Sequence, residues 1–420
     1  MKVLVLTPYL PHERVGHGGG TAVRDLVRGL ARLHEVLVVS LVRPGEDSMV
    51  QDVEKLGVTV TPIPFLDKTS GQAKLVPLIL NRASALIRSQ VSGFPHYVEK
   101  YWSPSISHQF VTAVESFRPD AVQIEYLQMS LLARDLRRWR DKRGQSEPRL
   151  VLNSHELGSL PRQRRANRAG NPLIKVWAMQ EAAAWNRLQI AASGWVDTTL
   201  CVTPGDRELY SAMGGRNLAT VPLGMDTEAI EEVWSPVSPD RFLFVGSFAH
   251  RPNRLAAEFL VHRLWPRLAP QIPESRLLLS GRGSVEFLAS CGGKEKWRDL
   301  RVDALGFVDD LTPHFRESRL FLAPLAEGGG IKIKILEAMA RGIPIVTTPV
   351  GAEGIASEAD EALYLSECDD TFANTVLEAY KDPGAAERAA RARHMIEEKF
   401  SWAAIVERLS AIYAGATEKT

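Results

Sequence analysis

Residues 320–348, LFLAPLAEGGGIKIKILEAMARGIPIVTT, place an apolar run of strand length, a glycine-rich loop, a helical segment and a second strand in direct succession. This order constrains the fold more than any other feature, because it is typical of a parallel α/β unit. Gly328, Gly329 and Gly330 allow the backbone to approach a ligand closely. We predict a helix from Ile331, and its first-turn N–H groups carry the positive end of the helix dipole. Such a helix start suits a phosphate group.

The predicted helix has two distinct faces. Ile333, Leu336 and Ala340 follow the spacing of a buried stripe, and Lys334 and Glu337 lie on another face. One interpretation is an ordinary surface ion pair between that lysine and glutamate, which is worth about 0.2–0.5 kcal/mol. The alternative is that both side chains bind a ligand, and the glycine triplet before the helix favours this second interpretation.

The amino-terminal segment repeats the pattern. Residues 3–6 form an apolar run, a glycine loop is predicted at 18–20, and an amphipathic helix is predicted over 21–33. The loop at 7–20 is long, so it either closes over a ligand or is a surface excursion. Further strands are predicted at 121–124, 150–152, 198–202 and 219–221.

A change of composition near residue 225 divides the chain. Residues 234–240 are rich in proline and serine, as in a hinge, and a second α/β unit is predicted from Phe242. We therefore predict an α/β protein with two Rossmann-like, doubly wound parallel-sheet domains, 1–225 and 226–399. Ligands are expected at the carboxyl ends of the strands, in a cleft where the two sheets face each other.

Composition narrows the class of protein. The 420 residues carry a formal net charge of only +1, which gives no general attraction to nucleic acid. The three cysteines, Cys201, Cys291 and Cys368, are dispersed, which fits a reducing compartment and offers no metal-ligand spacing. The first residues, MKVLVLTPYLP, form too short an apolar run for a signal peptide or a membrane span, so we expect a cytoplasmic protein.

Two common nucleotide-binding motifs are incomplete. Neither the glycines between 16 and 20 nor Gly281 and Gly283 complete the dinucleotide fingerprint. Gly293 and Lys294 lack the other residues of a P-loop. Nucleotide-sugar chemistry therefore remains as the expectation for this fold.

Several motifs resemble the retaining GT-B glycosyltransferases of family four. In the second half they are GSFAHRPN at 246–253, GFVDD at 306–310 and the glycine-rich stretch at 324–355, and in the first half FRPDAVQIEY at 117–126, LNSHE at 152–156 and VPLGMD at 221–226. The resemblance spans most of the chain. It implies that a nucleoside diphosphate sugar, held mainly by the second domain, gives a hexosyl unit to a hydroxyl acceptor with retention of configuration. It also implies that the final segment, 400–420, packs back on the first domain.

The resemblance assigns roles to three side chains. Glu337 falls on an acidic position that binds the ribose hydroxyls, a role that suits an ionised carboxylate. Lys334 is the expected phosphate ligand, whose ammonium stabilises the departing diphosphate without a metal ion. The family counterpart of His155 contacts the donor sugar, and a structural histidine bonded to a neighbouring carbonyl is the alternative.

One family position differs in this chain, because an earlier glutamate is replaced here by Gly329. Either Glu327 reaches the donor sugar through a rearranged loop, or backbone N–H groups of Gly329, Gly330 and Ile331 contact the sugar and diphosphate. We favour the backbone version, because a glycine triplet is a poor platform for one rigid side chain.

The remaining candidates lie in both halves. Residues expected at the donor are Gly18, Gly19, Ser247 and Arg251, with Phe307 and Val308 near the base. Residues expected on the acceptor side are Glu125, Arg162, Arg164 and Arg165. The basic and then apolar stretch at 162–177 is either a solvated loop or a contact with an acceptor phosphate or an anionic membrane surface.

The sequence therefore predicts a cytoplasmic glycosyltransferase of cell-surface polysaccharide or glycoconjugate synthesis, peripheral on the inner membrane face, with a saccharide or lipid-linked saccharide acceptor. Transfer is expected to need no metal or other cofactor, since Asp309 and Asp310 are better explained as a helix cap. A nucleotide-sugar epimerase of the same architecture and a nucleotide-sugar-binding protein without catalysis are the alternatives. Neither the base, uracil or guanine, nor the sugar follows from the sequence.

Overall fold

The computed structural model describes residues 1–13, 18–66, 75–168, 170–235, 240–328, 330–355 and 359–416. The chain forms two compact units. The first comprises Met1–Gly224 and Ile405–Thr420, and the second comprises Met225–Ala404. Each unit is a parallel sheet with helices, so the predicted fold class of two doubly wound α/β domains is confirmed.

The first domain is built on a wholly parallel sheet. Its described strands are β1 (Lys2–Thr7), β2 (Glu35–Val42), β3 (Thr59–Pro64), β4 (Ala121–Glu125), β5 (Arg149–Asn153), β6 (Thr198–Cys201) and β7 (Leu218–Thr220). They are arranged in the order β3-β2-β1-β4-β5-β6-β7. The strand order therefore reverses at β1: β2 and β3 lie on one side of it, and β4 to β7 lie on the other. Helices cover both faces of such a sheet, which explains why β1 is apolar on both faces and fully buried from Val3 to Leu6.

The helices of the first domain connect these strands. They are α1 (Gly18–Ala31), α2 (Val50–Glu54), α3 (Leu75–Ser92), α4 (His96–Glu99), α5 (Pro104–Phe117), α6 (Ser130–Lys142), α7 (Ser159–Arg168), α8 (Pro172–Ser193) and α9 (Pro204–Ala212), with single 3₁₀ turns at Asp47–Met49 and Leu127–Met129. The predicted start of α1 at residue 21 is wrong. The helix begins at Gly18, so the three glycines expected in a loop form its first turn.

Three of these helices begin with the same local signal. The side chains of Ser103, Asn171 and Thr203 each accept a hydrogen bond from a backbone N–H group in the first turn of α5, α8 and α9, respectively. A proline follows each of them at the first helical position, where its missing N–H group costs nothing. In these three helices, the local sequence therefore sets the first helical residue.

The second domain has a smaller parallel sheet. Its described strands are β8 (Arg241–Val245), β9 (Arg276–Ser280), β10 (Val302–Gly306), β11 (Leu320–Ala323), β12 (Ile345–Thr347) and β13 (Tyr364–Leu365), in the order β10-β9-β8-β11-β12-β13. Alternate residues of β8 supply two cores: Phe242 and Phe244 pack with Trp265 on one face, and Leu243 packs with Phe321 on the other.

The helices of the second domain are α10 (Arg251–Phe259), α11 (Trp265–Leu268), α12 (Ser284–Ser290), α13 (Lys294–Asp299), α14 (Thr312–Arg316), α15 (Ile333–Ala340), α16 (Ala359–Ala362), α17 (Phe372–Lys381) and α18 (Ala385–Lys399), and a π-helical turn at Leu260–Leu264 joins α10 to α11. The predicted start of α15 at Ile331 is wrong by two residues, because Lys332 is extended at the N-cap. Ile333 is consequently 53% exposed, whereas Leu336 and Ala340 of the predicted stripe are buried as expected. Ile335 and Met339 complete the buried face.

The last helix, α19 (Trp402–Tyr413), belongs to the first domain from Ile405 onwards. Its buried side chains are Ile405, Val406, Leu409, Ile412 and Tyr413. Ser410 Oγ lies 2.7 Å from His34 Nε2, which ties α19 to the turn that follows α1.

Candidate functional site

The candidate donor residues of the second domain lie along one edge of its sheet. Ser247 follows β8, Phe307 and Val308 follow β10, and Gly330 and Ile331 follow β11. Because the sheet is parallel, the carboxyl ends of these strands share an edge. Ligands of doubly wound sheets bind at this edge.

Lys334 occupies the first turn of α15 at this edge. Its ammonium donates to Asn253 Oδ1 at 2.5 Å and lies 4.6 Å from the centre of the Phe244 ring. Among the described residues, no carboxylate lies within 4.0 Å of this Nζ. Desolvation by burial, helped by the positive charge of Lys332, lowers the pKa of Lys334 to about 7. The ammonium is therefore held in a place that disfavours its charge.

Two glycines make the space for this ammonium. A Cβ atom on Gly246 would lie 2.7 Å from Lys334 Nζ and 2.8 Å from Asn253 Cγ. A Cβ atom on Gly281 would lie 2.0 Å from the carbonyl oxygen of Gly246, and Gly281 has a φ of +132°. Gly246 therefore leaves room for the lysine and asparagine side chains, and Gly281 allows the backbone after β8 and the backbone after β9 to approach closely.

Asn253 is a site residue that the sequence analysis missed. Its Nδ2 donates to the Ser247 carbonyl at 2.9 Å, which directs Oδ1 toward Lys334. Its position at the end of the GSFAHRPN motif could have indicated a site residue, but the basic Arg251 was chosen from that motif instead. Asn253 acts as a neutral acceptor, so it fixes the ammonium without neutralising it.

Glu337 and Lys334 do not form the surface ion pair that was one interpretation of the sequence. Glu337 Oε1 instead lies 3.3 Å from Arg341 Nη2, one turn further along α15. Arg341 also donates to Thr312 Oγ1 at 2.9 Å, and it is 8% exposed. The Glu337 carboxylate thus contacts the buried Arg341 guanidinium through one of its two oxygens, Oε1.

Arg251 and Glu327 contact each other. Arg251 Nη1 lies 2.5 Å from both carboxylate oxygens of Glu327. Lys332 behaves similarly, because its Nζ lies 2.5 Å from the Gly330 carbonyl oxygen and 3.2 Å from Glu353. Glu327 and Lys332, the charged residues on either side of the glycines, therefore each contact an oppositely charged residue of the same domain. Gly329, predicted to supply a backbone donor, lies outside the described residues.

In the first domain, β4 and β5 end on a short hydrogen-bonded pair. His155 Nε2 lies 2.5 Å from Glu125 Oε2, and Asn153 Nδ2 donates to the same oxygen at 3.1 Å. Glu125 is fully buried, so it supports His155 from within the fold. Glu125 lies at the end of β4, as expected from the sequence, and its acceptor-side role stays a prediction.

The backbone around His155 is unusual. His155 has a φ of +57° and Tyr126 has a φ of +70°, a region that non-glycine residues rarely adopt. The two rings stack with centroids 3.8 Å apart and planes 10° apart. Such conformations cost free energy and cluster at ligand sites. They make His155 a stronger candidate than its position in the sequence alone does.

The remaining candidates of the first domain lie on helices. Arg162 and Arg165 are in α7, where a solvated loop was the simpler expectation, and that loop prediction is wrong. Arg162 stacks on Trp185 at 4.3 Å and Arg165 on Trp177 at 4.8 Å, both in α8. Arg164 is in the same helix, and Gly18 and Gly19 open α1.

Asp310 Oδ1 accepts a hydrogen bond from the Thr312 N–H at 2.9 Å, which is the helix-capping role expected for it. The described part of the chain contains no group of three or more side chains arranged to hold a metal ion. Among its described helices, none combines the length and apolarity needed to span a bilayer.

Comparison with known proteins identifies the class. A family model described as "Glycosyl transferases group 1" matches residues 239–382, and one described as "Glycosyl transferase 4-like domain" matches residues 17–224. The fold is the GT-B architecture of glycosyltransferases. Anabaena Alr3699/HepE in complex with UDP-glucose has a TM-score of 0.58 at 14% identity, covering 99% of this chain and 100% of that one. Sucrose-phosphate synthase of Thermosynechococcus elongatus has a TM-score of 0.62 at 16% identity, covering 99% and 98%.

A sequence relative agrees with this class. The GDP-mannose-dependent alpha-(1-6)-phosphatidylinositol dimannoside mannosyltransferase of Mycobacterium tuberculosis is 26% identical over 307 residues, or 69% of this chain and 72% of the relative. The chain belongs to the group 1 glycosyltransferases of family four, and it is a glycosyltransferase.

The space around the ammonium gives a first prediction. Gly246→Ala is expected to lower the free energy of unfolding by about 1–3 kcal/mol, because Lys334 and Asn253 must both move to admit a methyl group. Gly205→Ala, in α9, is the matched control: its Cβ would meet only Thr203 Oγ1, at 3.9 Å, and it should be neutral or stabilising. Urea unfolding of both variants measures the difference, and equal stability would contradict the packing described around Gly246.

Proposed function

We propose that this glycosyltransferase takes its sugar from a nucleoside diphosphate sugar. The observation that carries the proposal is the Lys334 ammonium, which is desolvated and bonded to a neutral amide. Holding a cation in this way costs free energy unless an anion joins it. The first-turn N–H groups of Ile333 and Lys334 have no partners within α15, and they add the positive end of a helix dipole. A diphosphate supplies the matching charge.

The same groups suit the chemistry of the departing diphosphate. When the bond between the sugar C1 and the diphosphate oxygen breaks, negative charge develops on that oxygen. A fixed ammonium and fixed amides can stabilise this charge without reorganising during the reaction. We therefore propose that transfer needs no divalent metal, and that Lys334 acts on the leaving group.

The nucleoside is assigned to neighbouring residues of the same domain. Glu337 is proposed to accept hydrogen bonds from both ribose hydroxyls, with Arg341 holding it from behind. Phe307, which is 65% exposed, and Val308 follow β10 and are proposed to line the base. Both uridine and guanosine donors deserve testing, because the mycobacterial relative depends on GDP-mannose and the Anabaena structure contains UDP-glucose.

We propose retention of configuration through front-face transfer. In this scheme, the acceptor oxygen bonds to C1 on the face that the diphosphate leaves, and the departing diphosphate oxygen takes the acceptor proton. No protein base is then required. His155 is proposed to contact the transferred sugar, as its counterpart does in the family, with Glu125 fixing its ring.

A lipid-linked saccharide is the proposed acceptor, with contact to an anionic membrane surface. The carboxyl end of α7 and the start of α8 combine Arg165 and Lys175 with exposed apolar side chains, including Leu173 at 80% and Trp177 at 50% exposure. Basic groups beside exposed apolar ones are typical of interfacial helices. The mycobacterial relative is named for a phosphatidylinositol dimannoside, which supports an acceptor of this kind. A role in cell-surface glycoconjugate synthesis follows.

Loss of the ammonium should remove diphosphate binding. Lys334→Met keeps the length of the side chain and deletes its charge, so the Kd for UDP or GDP should rise at least tenfold. Lys296→Met, on the exposed face of α13, is the control and should leave the Kd unchanged. Calorimetric titration at pH 6.5 measures both, and unchanged binding by Lys334→Met would contradict the proposed diphosphate site.

Turnover separates the three functional candidates. With radiolabelled UDP and GDP sugars and a membrane lipid extract, a transferase moves label into the lipid fraction and makes nucleoside diphosphate. An epimerase changes the donor sugar without any acceptor, and a binding protein does neither. We expect transfer that persists with excess EDTA, and a product whose anomeric configuration matches the donor by NMR. Loss of transfer with chelator would contradict the metal-independent scheme.

Membrane contact is tested by flotation. We expect the protein to float with vesicles of phosphatidylcholine and phosphatidylglycerol at low salt, and to float less at high salt because the charges are screened. The double variant Leu173→Ser, Trp177→Ser should reduce the bound fraction several-fold. Val285→Ser removes a comparably exposed side chain from α12 and serves as control. Absence of flotation at low salt would count against this surface.

A further inference from the structure

We infer that Tyr413, in the C-terminal helix α19, is a positioning residue for His155. It acts through two buried side chains, Gln123 and Glu125. The inference rests on the proposed role of His155 at the transferred sugar. It goes beyond that role by making the end of the chain part of the machinery that orients the imidazole.

The contacts form one continuous chain inside the first domain. The Tyr413 hydroxyl donates to Gln123 Oε1. Gln123 Nε2 donates to Glu125 Oε1 at 2.6 Å, and Glu125 Oε2 lies 2.5 Å from His155 Nε2. Gln123 and Glu125 are 0% exposed and Tyr413 is 3% exposed. All three side chains are therefore shielded from bulk solvent.

The polarity of the chain follows from the chemistry of its members. An ionised Glu125 only accepts hydrogen bonds, so the Gln123 amide must turn its NH₂ group toward that carboxylate. The amide oxygen then faces Tyr413, whose O–H is the donor it needs. With both carboxylate oxygens engaged as acceptors, the Nε2 atom of His155 is the donor of its hydrogen bond to Glu125.

Removing the hydroxyl should therefore be felt at His155. Without Tyr413 Oη, the buried Gln123 oxygen has lost its donor, and a buried acceptor without a partner is unfavourable. The amide can recover a partner only by rotating or shifting, and either movement withdraws a donor from Glu125. The carboxylate then holds the imidazole less rigidly, and small displacements of an acting group can cost large factors in rate.

The same helix provides a matched control. Ser410 Oγ lies 2.7 Å from His34 Nε2, one turn before Tyr413 and outside the chain that leads to Glu125. Ser410→Ala and Tyr413→Phe each delete one hydroxyl from α19. Ser410 is partly buried and Tyr413 is buried, and Tyr413→Phe is the variant that removes a hydrogen bond from the chain leading to His155.

The first experiment is a comparison of steady-state kinetics, with the nucleotide sugar that the wild-type enzyme turns over. For Tyr413→Phe we expect kcat to fall roughly tenfold or more, with the donor KM within a factor of about two. For Ser410→Ala we expect kcat within a factor of about two of the wild type. In a Glu125→Gln background, Tyr413→Phe should cost little more, because the chain is already interrupted. Equal kcat for the two single variants, or losses that multiply in the double variant, would overturn the inference.

The second experiment does not depend on turnover, so it separates failure of this inference from failure of the proposed function. Histidine-selective ¹³C labelling gives imidazole signals, and His155→Asn assigns the one from His155. Tyr413→Phe should move that signal, and Ser410→Ala should leave it in place. An unmoved His155 signal in Tyr413→Phe would refute the positioning role even in an enzyme whose donor is unknown.

Discussion

The central feature of the second domain is the position of the Lys334 ammonium. Lys334 lies where β8, β9 and α15 meet, above the Phe244 ring and against the Asn253 amide. A side chain at Gly246 would meet the ammonium and the amide, and a side chain at Gly281 would meet the backbone of Gly246. A site that lowers the pKa of a lysine in the free protein gains free energy when an anion restores the charged form. On the proposed assignment, that anion is the diphosphate of the donor.

The charged side chains near Lys334 are paired with carboxylates of the same domain. Arg251 is paired with Glu327, and Lys332 contacts Glu353, so nearby cations are already compensated. The exposed pairs contribute little to stability. On the proposed assignment, the desolvated Lys334, held by the neutral Asn253 amide, is the cation that meets the diphosphate. With a formal net charge of +1 over 420 residues, the chain must obtain its affinity for an anion from such local placement.

In the first domain, the corresponding feature is a buried carboxylate, Glu125, that contacts His155. Glu125 lies beneath His155 with its oxygens engaged by neighbouring donors, and the backbone at Tyr126 and His155 adopts left-handed conformations. Strain of this kind persists only where the surrounding structure holds it. In α19, the Tyr413 hydroxyl donates to Gln123, which in turn donates to Glu125.

Local pattern predicted much of the fold and part of the site. The parallel units, and the positions of Lys334 and His155 next to strand ends, follow from periodicity and glycine punctuation. The start of α15 was misplaced because nothing in IKIKILE shows that Lys332 is extended, and α7 was missed because its arginines are stabilised by stacking on Trp177 and Trp185. Asn253 could not be predicted as a partner of Lys334, since they are 81 residues apart and meet only through tertiary packing.

The most direct test is an NMR titration of the Lys334 side chain, labelled with ¹³C at Cε and assigned by the loss of its signal in Lys334→Met. We expect the pKa of Lys334 to lie near 7 in the free protein and to be higher when UDP or GDP is bound. A pKa near the ordinary lysine value of about 10.4 in the free protein, unchanged by either nucleotide, would contradict it.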